Sequence, residues 1–296
     1  MKSIISTVFL TILILFKMNA QSQSFKTIET NNLKLQVYNA SENSFGVASV
    51  IISGKHDAVL IDAQFTLADA EKVAQEIKNS GKKLTTIYVS HGDPDFYFGL
   101  EVFKKYFPEV TAYASPATVE HIKATAQKKL EVWGERLGDK ITSNVILPQV
   151  LKGNSIDLEG EKLEIIGLDN FPKRTFVWIP SIKTALGGIN VFGTTFNAWM
   201  ADAQTTEVRN NWISILNTIS DLKPEIVIPA HANTSSDFTI DAVNHTKNYI
   251  QFYEEALKSN KTSEALIATI KTKYPNLTFE TALMLGAKVN TGEMKW

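Results

Sequence analysis

Residues 89–99, Val-Ser-His-Gly-Asp-Pro-Asp-Phe-Tyr-Phe-Gly, constrain the fold more than any other part of the chain. Just before them, residues 84–90 are rich in β-branched and aromatic side chains, which is typical of a buried strand. Between positions 99 and 107 the apolar residues recur at helical spacing. A strand, a tight loop and a helix place the loop's histidine and two aspartates at the carboxyl end of a strand, where α/β sheets usually place their chemistry.

This loop resembles the metal-binding loop of the metallo-β-lactamase superfamily, which has the pattern H-x-H-x-D-H and supplies ligands to two metal ions. In this chain the loop is His91-Gly-Asp93-Pro-Asp95-Phe96. A carboxylate therefore replaces one histidine of the family pattern, and an aromatic ring replaces another. The resemblance implies a hydrolase whose metal site is incomplete.

Other segments resemble the same family in the same order along the chain. Residues 59–63 are similar to its early hydrophobic strand that ends in aspartate, and residues 226–232 are similar to its late strand that precedes a histidine. Residues 165–169 stand where the family has a third histidine, and residues 185–192 stand where it has the metal-bridging aspartate. The resemblance runs from about residue 45 to residue 235 and implies an α/β fold, the four-layer αβ/βα sandwich.

Carried over residue by residue, the resemblance implies a reduced set of metal ligands. His91, Asp95 and His231 match ligands of the family, and Asp93 is a different but chemically competent ligand. The remaining ligand positions hold side chains that cannot coordinate a cation, namely Phe96, Leu168 and Ile189. This pattern argues against a two-metal site and leaves a single site made from the four competent residues.

Two imidazoles and two carboxylates suffice for one metal ion. Replacement of nitrogen by oxygen shifts the preference from zinc towards harder ions such as manganese, iron or magnesium. We therefore expect one divalent ion, zinc, manganese or iron, or none. In the hydrolytic interpretation a metal-bound water attacks an ester, lactone or amide carbonyl, and Asp95 accepts the proton of that water.

The candidate ligands also have a purely structural interpretation. Asp93, Pro94 and Asp95 are good turn formers, because aspartate bonds to neighbouring backbone groups and proline fixes φ. His231 is equally explained as a histidine that is hydrogen-bonded at a sheet edge. The presence of a histidine at each of the two expected strand ends favours the metal site.

Two polar residues lie next to lost ligands. Asp169 follows Leu168 and Asn190 follows Ile189, so a one-residue shift of either loop brings an oxygen into the vacant place. Adjacent side chains on a regular strand point to opposite faces, so such a replacement requires an irregular loop. On this basis Asp169 is included among the candidate metal ligands.

A long helix is predicted over residues 117–137, after the capping pair Ser115-Pro116, where the family often has a lid over its site. Several aromatic side chains are candidates for the wall of an apolar cavity: Phe96, Trp133, Phe196 and Trp199. Such a cavity suits a hydrophobic acyl or aromatic group. A catalytically inactive chain would keep this pocket in order to bind a small apolar ligand.

Residues 1–20 have the pattern of a cleavable signal peptide. A short basic start precedes an apolar run from Ile4 to Phe16, and Met18-Asn-Ala20 is an acceptable cleavage site. The apolar run is shorter than the roughly 20 residues that a membrane span needs. We therefore expect residues 21–296 to form a single periplasmic or secreted domain with a helical C-terminal extension and no membrane anchor.

Composition narrows the possible partners. The formal net charge is −1 and there is no basic stripe, which argues against nucleic-acid binding. The chain has no cysteine, so it forms no disulfides and performs no thiolate chemistry, which is compatible with a bacterial periplasm. The expected partner is a small-molecule substrate or ligand. Two functions remain open, a metal-dependent hydrolase and a pseudoenzyme that binds a small apolar ligand.

Overall fold

The computed structural model describes residues 25–296, so the predicted signal peptide lies outside the described residues. In the described part, two sheets pack face to face and helices cover their outer faces. This arrangement is the αβ/βα sandwich that the sequence implies. Between residues 25 and 296, none of the helices is both long and apolar enough to cross a bilayer.

The first sheet has its strands in chain order, antiparallel up to the fourth strand and parallel from there on. Its strands are β1 (Lys26–Glu29), β2 (Lys34–Asn39), β3 (Ala48–Ser53), β4 (Asp57–Ile61), β5 (Lys83–Val89), β6 (Thr111–Ala114) and β7 (Gln149–Val150). The switch to parallel pairing follows from the helix between β4 and β5, since a parallel neighbour needs a crossover connection.

The second sheet has the strand order β12-β11-β10-β9-β8. Its strands are β8 (Ser155–Leu158), β9 (Glu161–Ile166), β10 (Phe176–Ile179), β11 (Thr184–Leu186) and β12 (Ile226–Val227). Only the pairing of β11 with β12 is parallel among these strands, and a helix connects the two.

The helices in the described part of the chain are α1 (Leu67–Ser80), α2 (Pro94–Tyr97), α3 (Leu100–Tyr106), α4 (Pro116–Leu137), α5 (Thr206–Asp221), α6 (Asp241–Ser259), α7 (Ser263–Lys273) and α8 (Glu280–Asn290). Helix α4 is the predicted lid helix. Its start is fixed by the Ser115 side chain, which accepts a hydrogen bond from the Thr118 amide, and by Pro116 in the first turn.

Side-chain alternation along the strands divides the core into layers. On β3, Val50 and Ile52 face the second sheet, whereas Ile51 faces the helices outside. The apolar residues of the C-terminal helices join the same buried cluster as those of α1, as Tyr249, Leu266 and Leu283 do. The helical extension therefore packs onto the sandwich.

Candidate active site

The loop after β5 is held by backbone hydrogen bonds. Asp93 stands at the N-cap of α2 with extended backbone angles, φ −86° and ψ 151°, and Pro94 occupies the first turn. The amide of Ala63, beyond β4, donates to the carbonyl of Phe96 at 2.8 Å. The side chain of Asp93 makes no cap hydrogen bond. The turn-former interpretation therefore describes the backbone of Asp93 but leaves its carboxylate to be explained.

That carboxylate lies between two basic side chains. Its Oδ1 atom is 2.7 Å from Nζ of Lys129, and its Oδ2 atom is 3.4 Å from Nδ1 of His91. Burial opposes ionisation, but the nearby His91 and the Lys129 ammonium hold the pKa of Asp93 below its usual value. Burial lowers the pKa of His91 to about 4, so this imidazole is uncharged at neutral pH. Lys129 therefore carries the positive charge that faces Asp93.

Lys129 reaches the loop from the lid helix α4. Its Nζ atom also donates to the Gly92 carbonyl at 3.0 Å and lies 3.0 Å from Nε2 of His121, another residue of α4. No sequence pattern points to either residue, because charged and polar side chains on a long helix usually face solvent. Their approach depends on how α4 packs, and no local sequence signal reports it.

The Phe96 ring lies between the two histidines of the site, His91 and His231. Its side chain is fully buried, and its ring meets the His91 ring edge-on at 5.2 Å between centroids. On the other side it meets the His231 ring edge-on at 5.6 Å. An apolar ring that cannot bind a cation thus lies next to both imidazoles.

His231 follows β12 and forms isolated bridges to Val47 and Phe192. Its Nδ1 atom lies 3.0 Å from the Phe45 carbonyl, which only accepts hydrogen bonds, so Nδ1 carries the proton. The buried Nε2 atom is then a lone-pair acceptor, and it has no hydrogen-bond partner. It lies 3.6 Å from Oδ2 of Asp95.

Burial shifts the pKa of both members of this second pair towards the neutral form. Burial lowers the pKa of His231 to about 4. Burial, followed by the negative charge of Asp93, raises the pKa of Asp95 well above its usual value. The structure therefore presents two pairs, His91 with Asp93 and Asp95 with His231, in which the carboxyl pKa is shifted in opposite directions.

The remaining candidate positions do not replace the lost ligands. Ile189 is buried in the core, and Leu168 packs against the core between the sheets. Asn190 is fully buried, and its Nδ2 atom donates to the Arg174 carbonyl at 2.9 Å. Asp169 is exposed in the turn after β9. Asp169 is thus the one candidate ligand that is solvent-exposed on a turn.

These residues do not fit the two-metal centre of the family. Within residues 25–296, no group of three or more histidine, cysteine, aspartate or glutamate side chains is arranged to hold a metal ion. Asp93 faces an ammonium, and Phe96 stands beside both imidazoles. Two buried lone-pair atoms, Nε2 of His231 and Oδ1 of Asn190, have no hydrogen-bond partner and would suit a cation.

Arg174 adds a second cation near the site, which the sequence analysis also missed. Its guanidinium lies 4.0 Å from the centroid of the Trp212 ring, and Nη1 donates to the Ile189 carbonyl at 3.3 Å. Burial lowers the pKa of Arg174 to about 10, so the side chain stays charged at neutral pH. Its guanidinium therefore bonds the backbone of the residue that replaces the family's bridging aspartate.

An aromatic cluster adjoins the pairs. Phe45 lies at its centre, with ring centroids 5.3 Å from Trp133, 5.9 Å from Trp199 and 5.7 Å from Phe279. Phe45, Trp133 and Trp199 are half-buried. Trp133 belongs to α4, so the lid helix and the chain after β11 contribute to one apolar surface.

The predicted cavity wall is only partly reproduced. Phe196 contacts Phe279 at 5.4 Å, and Phe279 in turn stacks near His231 at 6.1 Å. Phe96 contacts that same histidine from another side. The predicted aromatics thus lie around one site, but Phe45 and Phe279, which connect them, were not anticipated because they are far apart in sequence.

Residues 43–179 match the model of the metallo-beta-lactamase superfamily. Among solved structures, a metallo-beta-lactamase from Pontibacter korlensis is similar, with 17% sequence identity, a TM-score of 0.54, and coverage of 77% of this chain and 99% of that chain. DIM-1 metallo-beta-lactamase is 18% identical with a TM-score of 0.54, over 77% of this chain and 98% of its own. The structure of VMB-1 is 14% identical with a TM-score of 0.57, and the match covers 79% of this chain and 99% of that chain. No curated protein sequence matches this chain.

Proposed function

The chain has the metallo-β-lactamase fold and is related to that superfamily, and from this premise we propose that it binds a small apolar ligand without a two-metal centre. The observation that carries the proposal is the position of Phe96. Its buried ring takes the place of a ligand in the family pattern and contacts both imidazoles that remain. A pseudoenzyme of this kind keeps the sandwich and the apolar surface beside it.

The aromatic cluster supports the class of ligand. Phe45, Trp133 and Trp199 are half-buried and lie within ring-contact distance through Phe45. Large aromatic rings that retain exposed area gain most from covering an apolar group. The half-buried Arg174 lies near the same site, and its guanidinium suits a ligand with an anionic end. We therefore propose an apolar or aromatic molecule that carries a carboxylate or a similar anion.

Binding of the fluorescent probe 1-anilinonaphthalene-8-sulfonate tests this proposal, because the probe combines aromatic rings with an anion. We expect Trp199→Ala to weaken binding at least tenfold, corresponding to about 1.5–3 kcal/mol of lost apolar contact. Phe252→Ala is the matched control, since Phe252 is a half-buried aromatic on α6 that contacts Tyr274 and not this cluster. Equal loss of affinity in both variants would refute the assignment of the cluster as the binding surface.

A second candidate is a metal-dependent hydrolase with a reduced, mononuclear site that acts on an ester, lactone or amide. One observation favours it, the buried and unpartnered Nε2 of His231 beside Asp95. The site would use His91, Asp93, Asp95 and His231 and would hold at most one divalent ion.

Elemental analysis of the chain purified without chelator separates the two candidates. A stoichiometric ion that chelation removes together with esterase or lactonase activity would establish the hydrolase. Substoichiometric metal, with probe binding unaffected by chelator, would establish the binding protein.

We also propose that the mature chain is periplasmic or secreted, on the basis of the signal-peptide pattern of residues 1–20. Expression of the full chain in a Gram-negative host tests this. We expect the periplasmic or extracellular fraction to contain a protein whose mass corresponds to residues 21–296. Retention of an intact N-terminus in the membrane fraction would contradict it.

A further inference from the structure

We propose that the Lys129 ammonium on α4 takes the place of the divalent metal ion, as a cation that is built into the chain. Several metal ligands of the family are absent from this site, and the ammonium supplies the missing positive charge whichever small molecule the chain binds.

The surroundings of Nζ are those of a bound cation. Three acceptor atoms surround it, Oδ1 of Asp93 at 2.7 Å, the Gly92 carbonyl at 3.0 Å and Nε2 of His121 at 3.0 Å. An ammonium has three N–H donors and no lone pair, so His121 Nε2 must accept and all three donors are used. Carboxylate oxygen, carbonyl oxygen and imidazole nitrogen are also the atoms that bind divalent cations in proteins.

The charges are consistent with replacement. The side chains of Asp93 and Lys129 are only 21% and 22% exposed, so a carboxylate here needs a positive partner. In a metal centre the ion supplies that charge. In this chain Phe96, Leu168 and Ile189 have removed several ligands, and one ammonium balances one carboxylate.

The loop backbone is shaped for this contact with α4. A Cβ atom at Gly92 would lie 2.5 Å from Cδ2 of His121, closer than side-chain atoms approach one another. Glycine therefore lets His121 pack directly on the loop that carries Asp93. The same approach brings Lys129, two turns further along α4, onto the Gly92 carbonyl.

Zinc chloride titration of purified variants tests the proposal, with binding followed by calorimetry and melting temperature. Lys129→Ala removes the ammonium and exposes its acceptors, and we expect it to bind zinc at least tenfold more tightly than the parental chain. Zinc at roughly 100-fold excess over its dissociation constant then raises the melting temperature of this variant by several degrees. Lys128→Ala is the matched control, because Lys128 is an exposed neighbour on the same helix.

The gain in zinc affinity must also depend on Asp93, so Asp93→Asn in the Lys129→Ala background should abolish that gain. Equal zinc affinity of the parental chain and Lys129→Ala would overturn the proposal, even if Lys129→Ala melts at a lower temperature, because Lys129 would then be an ordinary ion-pair partner. Lys129→Gln keeps a hydrogen-bonding side chain without the charge. If Lys129→Ala does not fold, the same comparison with Lys129→Gln decides, and unchanged zinc affinity in that variant overturns the proposal.

Discussion

Asp62 accepts two hydrogen bonds from Ser90, one from the backbone amide at 2.7 Å and one from the hydroxyl at 2.6 Å. The Ser90 oxygen in turn accepts a hydrogen bond from the amide of Gly188 at 2.7 Å. These hydrogen bonds connect the ends of β4 and β5 with the segment after β11. They therefore join the two sheets at the residue that precedes His91. Asp62 is almost fully buried, and its φ of 64° is in the left-handed region that aspartate and asparagine tolerate best among residues with a Cβ.

A pH dependence of stability follows from Asp62. Burial raises its pKa from 3.8 to about 7, although the bonds from Ser90 oppose the rise. The folded state therefore favours the protonated carboxyl. The resulting contribution to the free energy of unfolding is fully present below about pH 4 and is lost as pH rises to about 7. A shift of about 3 units corresponds to about 4 kcal/mol in the free energy of unfolding.

Asp62→Asn isolates this contribution, because the amide keeps the shape and tolerates the same φ. We expect the variant and the parental chain to have similar unfolding free energies at pH 4 by urea denaturation. At pH 8 the variant should be more stable. A difference between the two chains that stays constant across this range would contradict a raised pKa for Asp62.

Gly99 is required by close packing rather than by its backbone angles. A Cβ atom there would lie 1.9 Å from the Ala63 carbonyl oxygen and 2.6 Å from Cβ of Ala70. Gly99→Ala should therefore lower the free energy of unfolding by about 3 kcal/mol or more. Gly134→Ala is the control, since nothing lies within 4 Å of a Cβ at that position of α4. In denaturant unfolding we expect this control to stabilise by about 0.5–1 kcal/mol. Similar effects of the two changes would contradict the packing explanation.

Arg209 ties the C-terminal helices to the sandwich. It is 5% exposed, it pairs with Glu254, and Nη1 donates to the Ala203 carbonyl at 2.6 Å and lies 3.2 Å from Oδ1 of Asn290. Arg209→Met should destabilise the fold by about 1–3 kcal/mol, because the Ala203 carbonyl and Asn290 lose the buried guanidinium that donates to them. Chemical denaturation measures this loss.

Lys258→Met serves as the control for Arg209→Met, since Lys258 forms an exposed pair with Glu255 on the surface of α6. We expect no measurable change in stability from it. If Arg209→Met lowers the free energy of unfolding no more than Lys258→Met does, the contacts of Arg209 do not stabilise the packing of these helices.

The lost ligands can be restored together. Together with Lys129→Ala, the combined change Asp93→His, Phe96→His, Leu168→His and Ile189→Asp should recover binding of two zinc ions, because the scaffold keeps the strand ends of the family and the ammonium no longer occupies the site. Without zinc the variant should be several kcal/mol less stable, since polar groups replace apolar ones in the core. Zinc should then raise its melting temperature strongly. A folded variant whose melting temperature zinc does not change would show that these positions do not converge.

The sequence predicts regular elements well where local chemistry fixes their ends. Helix α1 runs from Leu67 to Ser80, because the Thr66 side chain caps its start and Gly81, with φ +69°, ends it. The short edge strands β1 and β7 have a weak local signal, since they are held by their neighbours in the sheet rather than by a buried apolar pattern of their own.

For the site, the sequence identifies the loop but not its partners. His91, Asp93, Asp95 and His231 lie at the predicted loop ends and form two contacting pairs. Their roles as metal ligands stay a prediction. Lys129 and His121 were not anticipated, because only the packing of α4 against Gly92 distinguishes them from the other polar residues of that helix.

The covalent attachment of Lys129 has a consequence for how this loop responds to its surroundings. An ammonium that is part of the polypeptide arrives with every molecule, in one copy, whatever the supply of ions in the medium. A loop that depends on zinc is coupled by mass action to the concentration of that ion and loses order when it becomes scarce. By facing Asp93 with Lys129, the chain balances this carboxylate with a charge whose presence does not depend on the supply of metal.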